Sequence, residues 1–149
     1  MEKDMTNLSL MLSMLEDNQT LKISPEGSSM CPFFFGGRDD VYLKQPHFPL
    51  KRGDIALFQR EDGKQVIHRI HHVGKNADKR FYYMLGDNQT WIEGPIAEDE
   101  ILAKATQIMR KGKLIDCQSN RLYRLTVAIW LILRPFRPKI MHLWSKLHR

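Results

Sequence analysis

The sequence predicts a mainly β fold, β-rich α+β: a compact antiparallel β domain with a short N-terminal helix and a basic, apolar helical tail. Three observations carry this. Short runs rich in Val, Ile, Tyr and Phe follow one another between residues 21 and 116, with Gly, Pro and Asp at their ends. Asp62-Gly63 stands between two of these runs, a strong signal for a tight β-hairpin. Apolar residues at helical spacing occur outside that region, at the two ends of the chain.

Residues 5–17 read as the first helix, with Leu8, Met11, Met14 and Leu15 on one face and Glu16-Asp17-Asn18 closing it. It is assigned a packing or capping role and no chemistry. Leu21-Lys22-Ile23-Ser24 alternates as a strand, and Asp40 to Lys44 is a short one ended by Pro46. Asp54 to Arg60 and Gln65 to Ile70 flank the hairpin turn. Arg80 to Leu85 is a further strand, and Ile101 to Met109 and Leu114 to Asp116 flank a turn at Lys111-Gly112-Lys113. The β core therefore spans 21–116 within a domain of residues 1–120.

Residues 121–149 differ. Leu125 to Leu133 are uncharged, but these nine residues are bounded by Arg124 and Arg134. A bilayer span needs about 20 apolar residues, so this run does not cross by itself. Pro135 and Pro138 break the chain, after which Ile140, Leu143, Trp144 and Leu147 face away from Lys139, His142, Lys146 and Arg149. Such a segment lies on a membrane, packs on a partner, or folds back on its own core.

Charge separates the two parts. Of 23 Lys and Arg, residues 121–149 hold seven and no acid, whereas residues 1–120 hold 16 against all 17 Asp and Glu. The net +6 of the chain is thus +7 in the tail and −1 elsewhere. A nucleic-acid domain spreads its cations over a folded face. Here they are interleaved with Leu, Ile and Trp, which suits an anionic membrane surface and excludes nucleic acid as partner. The membrane-surface residues are Arg124, Trp130, Arg134, Arg137 and Trp144. Cys31 and Cys117 supply neither a disulfide framework nor a metal spacing and read as small buried hydrophobes. No signal peptide opens the chain, since Met1 to Asp4 includes two acids and no apolar run of the needed length follows. A peripheral position on the cytoplasmic face of a membrane follows as the expectation.

The segment Glu26-Gly27-Ser28-Ser29-Met30-Cys31-Pro32-Phe33 bears on chemistry most directly. Gly27 and the two serines form a tight turn that presents a hydroxyl, Met30 turns inward, and Pro32 fixes the chain beyond. His68 follows 39 residues later, in mid-strand, and Gly86-Asp87-Asn88 begins a further 18 residues on. Ser, His and Asp in this order suit nucleophile, general base and orienting carboxylate. A neutral imidazole with an ordinary pKa of about 6.5 takes the serine proton near neutral pH. Two readings of Asp87 stand side by side, an orienting acid or a structural turn residue, and Lys51 is an alternative base in a turn before Gly53. His68, His71 and His72 invite a metal reading. On a regular strand His68 and His72 share a face while His71 points away, and no Cys or carboxylate cluster completes a shell, so no metal and no cofactor is called for.

Taken together, Ser29-Met30-Cys31-Pro32, Lys51-Arg52-Gly53-Asp54 before an apolar strand, His68-Arg69 and Gly86-Asp87-Asn88 resemble the successive boxes of the type I signal peptidases. That family shares a fold with the self-cleaving repressors of the SOS response. The likeness covers roughly residues 21–116, and a histidine at the base position is similar to the His-base branch. Gly36-Gly37-Arg38-Asp39 resembles the small bacterial peptidases of the S24/S26 type. The resemblance implies a serine endopeptidase that cleaves a signal or leader peptide after small residues, through a Ser29–His68 dyad and an acyl-enzyme. It also implies oxyanion or turn support from Gly27 and Ser28. Many members carry a serine where this chain has Gly27, and most carry an N-terminal membrane span. The contrasting expectations are a catalytically silent β domain that binds peptides or the membrane surface, and a regulatory domain that cleaves only itself.

Overall fold

The run Ile55-Ala56-Leu57-Phe58 organises the molecule because both of its faces are buried. In a strand, successive side chains point to opposite sides. Ile55 and Leu57 enter one apolar cluster, and Ala56 and Phe58 enter a second. Uninterrupted apolar sequence of this kind belongs to the middle of a sheet covered on both faces. A computed structural model describes residues 2–148, with side chains from residue 7; Met1 and Arg149, the last cation of the tail, lie outside them.

Helix α1 (Glu2–Glu16) is followed by strands β1 (Leu21–Ile23), β2 (Asp40–Lys44), β3 (Ile55–Gln59), β4 (Gln65–Asn76), β5 (Lys79–Leu85), β6 (Glu93–Ala97), β7 (Ile101–Arg110) and β8 (Lys113–Asp116). Helices α2 (Arg121–Ile132) and α3 (Arg137–Leu147) close the chain. The strands form one antiparallel sheet in the order β1-β2-β7-β3-β4-β5-β6, with β8 paired to β7. This is the mainly β fold with terminal helices expected from the sequence. The Asp62-Gly63 hairpin is present, with Ala56 opposite His68 and Gln59 opposite Gln65. Gly63 takes φ +85°, a left-handed conformation that glycine adopts without strain.

The first cluster lies between the sheet, the serine segment (Met30, Phe33, Phe34), Leu15 of α1, and Val127, Trp130 and Leu131 of α2. The second gathers Leu50, Phe58, Ile70, Tyr82 and Met84 on the other face. Burying an aliphatic side chain such as Leu131 contributes about 1.5–3 kcal/mol, so α2 is held by its apolar inner face. Asn120 caps α2 by accepting the Tyr123 N–H at 2.9 Å.

This arrangement corrects the reading of residues 121–149 as a surface tail. Trp130 is buried, and its indole N–H donates to the Asp87 carbonyl at 2.8 Å. Arg137 is 1% exposed and donates to the carbonyls of Gly86, Gln89 and Trp130. Arg134 donates twice to the Thr90 carbonyl, and Trp144 packs against Phe35 with ring centres 5.5 Å apart. Of the five residues assigned to a membrane surface, only Arg124 is exposed with a side chain that makes no hydrogen bond to the described residues. The backbone carbonyls of Gly86, Asp87, Gln89 and Thr90 explain the difference, since they supply acceptors that desolvated guanidinium and indole donors require. No helix among the described residues is long and apolar enough to cross a membrane.

Candidate active site

Ser29 sits in a loop whose two limbs touch. Gly36 N donates to Gly27 O at 3.0 Å and Gly37 N to Pro25 O at 3.1 Å. A Cβ on Gly36 would lie 2.4 Å from both the nitrogen and the oxygen of Gly27, so only glycine allows this approach. Gly27 itself has φ +82°, which a serine there would adopt only with strain. Beyond the turn, Met30, Cys31, Phe33 and Phe34 are buried and anchor the segment, leaving Ser29 half-buried and Ser28 exposed. The N–H of Ser29 has no hydrogen-bond partner among the described residues. Asp39 holds the far limb. Burial pushes its carboxyl upward, but the Arg38 guanidinium and the N–H groups of Phe35 and Lys111 outweigh that and hold it below its ordinary range.

Gly86-Asp87-Asn88 grips this loop by its backbone. Asn88 N donates to Ser29 O at 2.8 Å, and its side-chain amide donates to Ser28 O at 3.3 Å. A Cβ on Gly86 would stand 2.8 Å from Ser29 O. Asp87 does not orient His68, which corrects the role expected of it. Both its oxygens accept from Arg69, at 2.8 Å each, and both residues are fully buried. The reason is strand alternation: His68 and Arg69 are neighbours on β4 and so point to opposite faces. Arg69 also donates to Gly53 O at 2.8 Å and to the Tyr123 hydroxyl at 3.1 Å, and lies over the Phe33 ring. The Lys51–Asp54 turn, Arg69, the Asp87 loop and Ser29 are thus one connected scaffold.

His68 faces Glu93 at the start of β6. Its Nδ1 is 3.3 Å from Glu93 Oε1, close but out of line for a hydrogen bond. Glu93 in turn accepts from Nε and Nη2 of Arg60, one bond to each carboxylate oxygen. Burial is the largest influence on the imidazole and depresses its pKa from about 6.5 to about 4; Glu93 opposes the change and Arg60 adds to it. The ring is therefore neutral, with a nitrogen able to accept a proton. Sequence reasoning missed Glu93 and Arg60, because β6 was not recognised and the pair joins only when β4, β5 and β6 lie side by side.

Ser29 and His68 line one cavity of about 420 Å³, together with Gly27, Arg60, Val66 and Gln89. No hydrogen bond joins Ser29 Oγ to the His68 ring. Lys51 lines a different cavity, beside α2, so it is not brought to Ser29. His71 and His72 meet with their Nδ1 atoms 2.9 Å apart, because an irregularity in the β4–β5 register after Ile70 disturbs the alternation expected of them. His72 stacks on Tyr83 at 4.1 Å. Among the described residues, no group of three His, Cys, Asp or Glu is placed to hold a metal ion. Neither a protein-family model nor a curated protein matches this chain.

Proposed function

We propose that this chain is a serine endopeptidase in which Ser29 is the nucleophile and His68 the general base, with Glu93 behind the imidazole. The observation that carries the reading is that Ser29 and His68, 39 residues apart in sequence, line one cavity, with a neutral ring and a carboxylate on its far side. Ser29 Oγ attacks the peptide carbonyl while His68 takes its proton. The tetrahedral oxyanion is met by the free N–H of Ser29. As the C–N bond breaks, His68 returns the proton to the leaving amine, and water then hydrolyses the acyl-enzyme by the same route. Apo geometry in such sites is often loose, so the missing Oγ–ring hydrogen bond is supplied when a peptide seats. Ile23 of β1 borders the cavity, and β1 is an end strand of the sheet. A substrate added along that edge would run past Ser29 in extended form. The resemblance supports a leader or signal peptide cut after small residues.

A fluorophosphonate probe tests this. Labelling of Ser29 in the parent, lost in Ser29→Ala and retained in Ser28→Ala, is the expected result. The open Ser29–His68 gap favours one rival, a silent peptide-binding domain. Peptide binding without labelling would select that rival.

A further inference from the structure

The surface of α2 is the reverse of an ordinary packed helix. Its inner face is apolar, as burial requires, but its outer face is apolar too. Leu122, Leu125, Ile129 and Ile132 point outward, with Leu122 75% and Ile132 73% exposed. Spacing of three, four and three residues puts them on one line. A groove of about 660 Å³ runs beside this line, between α2 and the Lys51–Asp54 turn. Its walls combine Leu125 and Ile132 with Lys51, Arg52, Arg121 and Arg124. The four cations are exposed, and none makes a salt bridge to the described residues. The acid in the groove, Asp54, is already neutralised by Lys104 at 3.4 Å and accepts the Lys51 N–H. Residues 121–149 contain no acid at all.

We propose that this groove takes one anionic phospholipid, its phosphate among Arg52, Arg121 and Arg124 and its acyl chain along Leu125 and Ile132, while the outer line enters the headgroup boundary. An apolar line bordered by unpaired cations matches a ligand with an acyl chain and a negative headgroup. Single-sign charge of this density repels a second copy of the same face. The inference rests on the membrane-surface reading but not on the chemistry assigned to Ser29.

The test uses the full chain in two measurements. Flotation with phosphatidylcholine vesicles, with and without phosphatidylglycerol, reads membrane association. Titration with dihexanoyl-phosphatidylglycerol below its micelle concentration, against the phosphatidylcholine analogue and inorganic phosphate, reads the groove. The expected results are salt-sensitive flotation on the anionic vesicles, and saturable one-to-one binding of the anionic lipid that exceeds either control at least tenfold. Arg52→Glu with Arg121→Glu should lower both by at least tenfold, and the milder Gln pair by less. Flotation without binding of the monomeric lipid, or unchanged in the Glu pair, would overturn the groove and keep the membrane reading. Equal flotation on neutral vesicles, or none on either, would overturn both. A lipid-free dimer dispersed by Leu125→Ser with Ile132→Ser would assign the face to a second copy instead.

Discussion

Replacing Asp87 by Asn tests whether this residue is scaffold or catalyst. Asn preserves the volume and one acceptor but removes the charge that balances Arg69. Both side chains have no exposure, and the pair is bidentate at 2.8 Å, so the guanidinium would be left charged in a dry interior. Breaking a buried pair from one side costs about 3–5 kcal/mol. The lower end applies, since Gly53 O and the Tyr123 hydroxyl still accept from Arg69. With roughly 2–4 °C of Tm per kcal/mol at this chain length, Tm should fall by roughly 6–12 °C. Calorimetry and urea unfolding of the full chain would measure it. Arg69→Met with Asp87→Leu should recover most of the loss, because removing both charges removes the uncompensated one. An orienting acid behaves differently: its amide variant keeps the fold and loses about 10⁴ in rate. An Asn variant melting within about 2 °C of the parent, yet inactive, would refute the scaffold assignment.

The remaining expectations follow from the same geometry. Glu93→Gln leaves Arg60 facing the imidazole alone, so peptidase activity should fall at least tenfold; Tm should shift little, because half-exposed pairs contribute about 0–1 kcal/mol. The unfolded chain protonates His68 at about pH 6.5 and the native chain at about pH 4, so stability should be unaffected above 6.5 and fall as pH drops from there to 4. The loss attributable to His68 is at most about 3 kcal/mol, read as the difference between parent and His68→Gln in urea melts at pH 7 and 4.5; identical pH dependence would contradict the buried neutral ring. Truncation after Gln118 should leave a chain that melts without cooperativity and does not label at Ser29, because it strips Val127, Trp130 and Leu131 from the core and the Arg137 donors from the 86–89 carbonyls.

The parts of the fold legible in the sequence were those governed by neighbours along the chain. Asp62-Gly63 and the alternating runs around it specify their hairpin locally. Strand β6 was hidden because Glu93-Gly94-Pro95 reads as a turn; as an end strand it needs few of its own donors, so a proline there is tolerated. Strand β4 continues six residues past Ile70 through polar His71 to Asn76, where pairing with β5 rather than apolar alternation holds it. That Ser29 and His68 would lie near each other was suggested by their segments and by the resemblance, and the two line one cavity. The carboxylate that faces His68 was not legible. Choosing between Asp87 and Glu93 requires knowing which face of β4 each one meets, and that depends on the strand order across the sheet. Residues 121–149 failed for a related reason: apolar residues mixed with Arg suit a bilayer surface and a domain flank equally well until the acceptors of residues 86–90 are in place.

Those acceptors give α2 its double character. Trp130, and Arg137 at the start of α3, hold the Asp87 loop by its carbonyls, and that loop holds Ser29 by Asn88. The inner face of α2 is therefore part of the support under Ser29, two hydrogen-bonded steps away. That duty fixes the orientation of the helix and so selects which residues face outward. Core packing does not account for Leu122, Leu125, Ile129 and Ile132 being apolar, because polar residues there would leave every inner contact intact. An outer line of this kind exposes apolar area that water disfavours. Its presence beside unpaired Lys51, Arg52, Arg121 and Arg124 is explained by a ligand that covers it. Because the two faces are opposite, such a ligand would bind without disturbing Trp130 or Arg137, and a bilayer at the outer face would leave the Ser29 cavity, which shares no lining residue with the groove, open to a peptide.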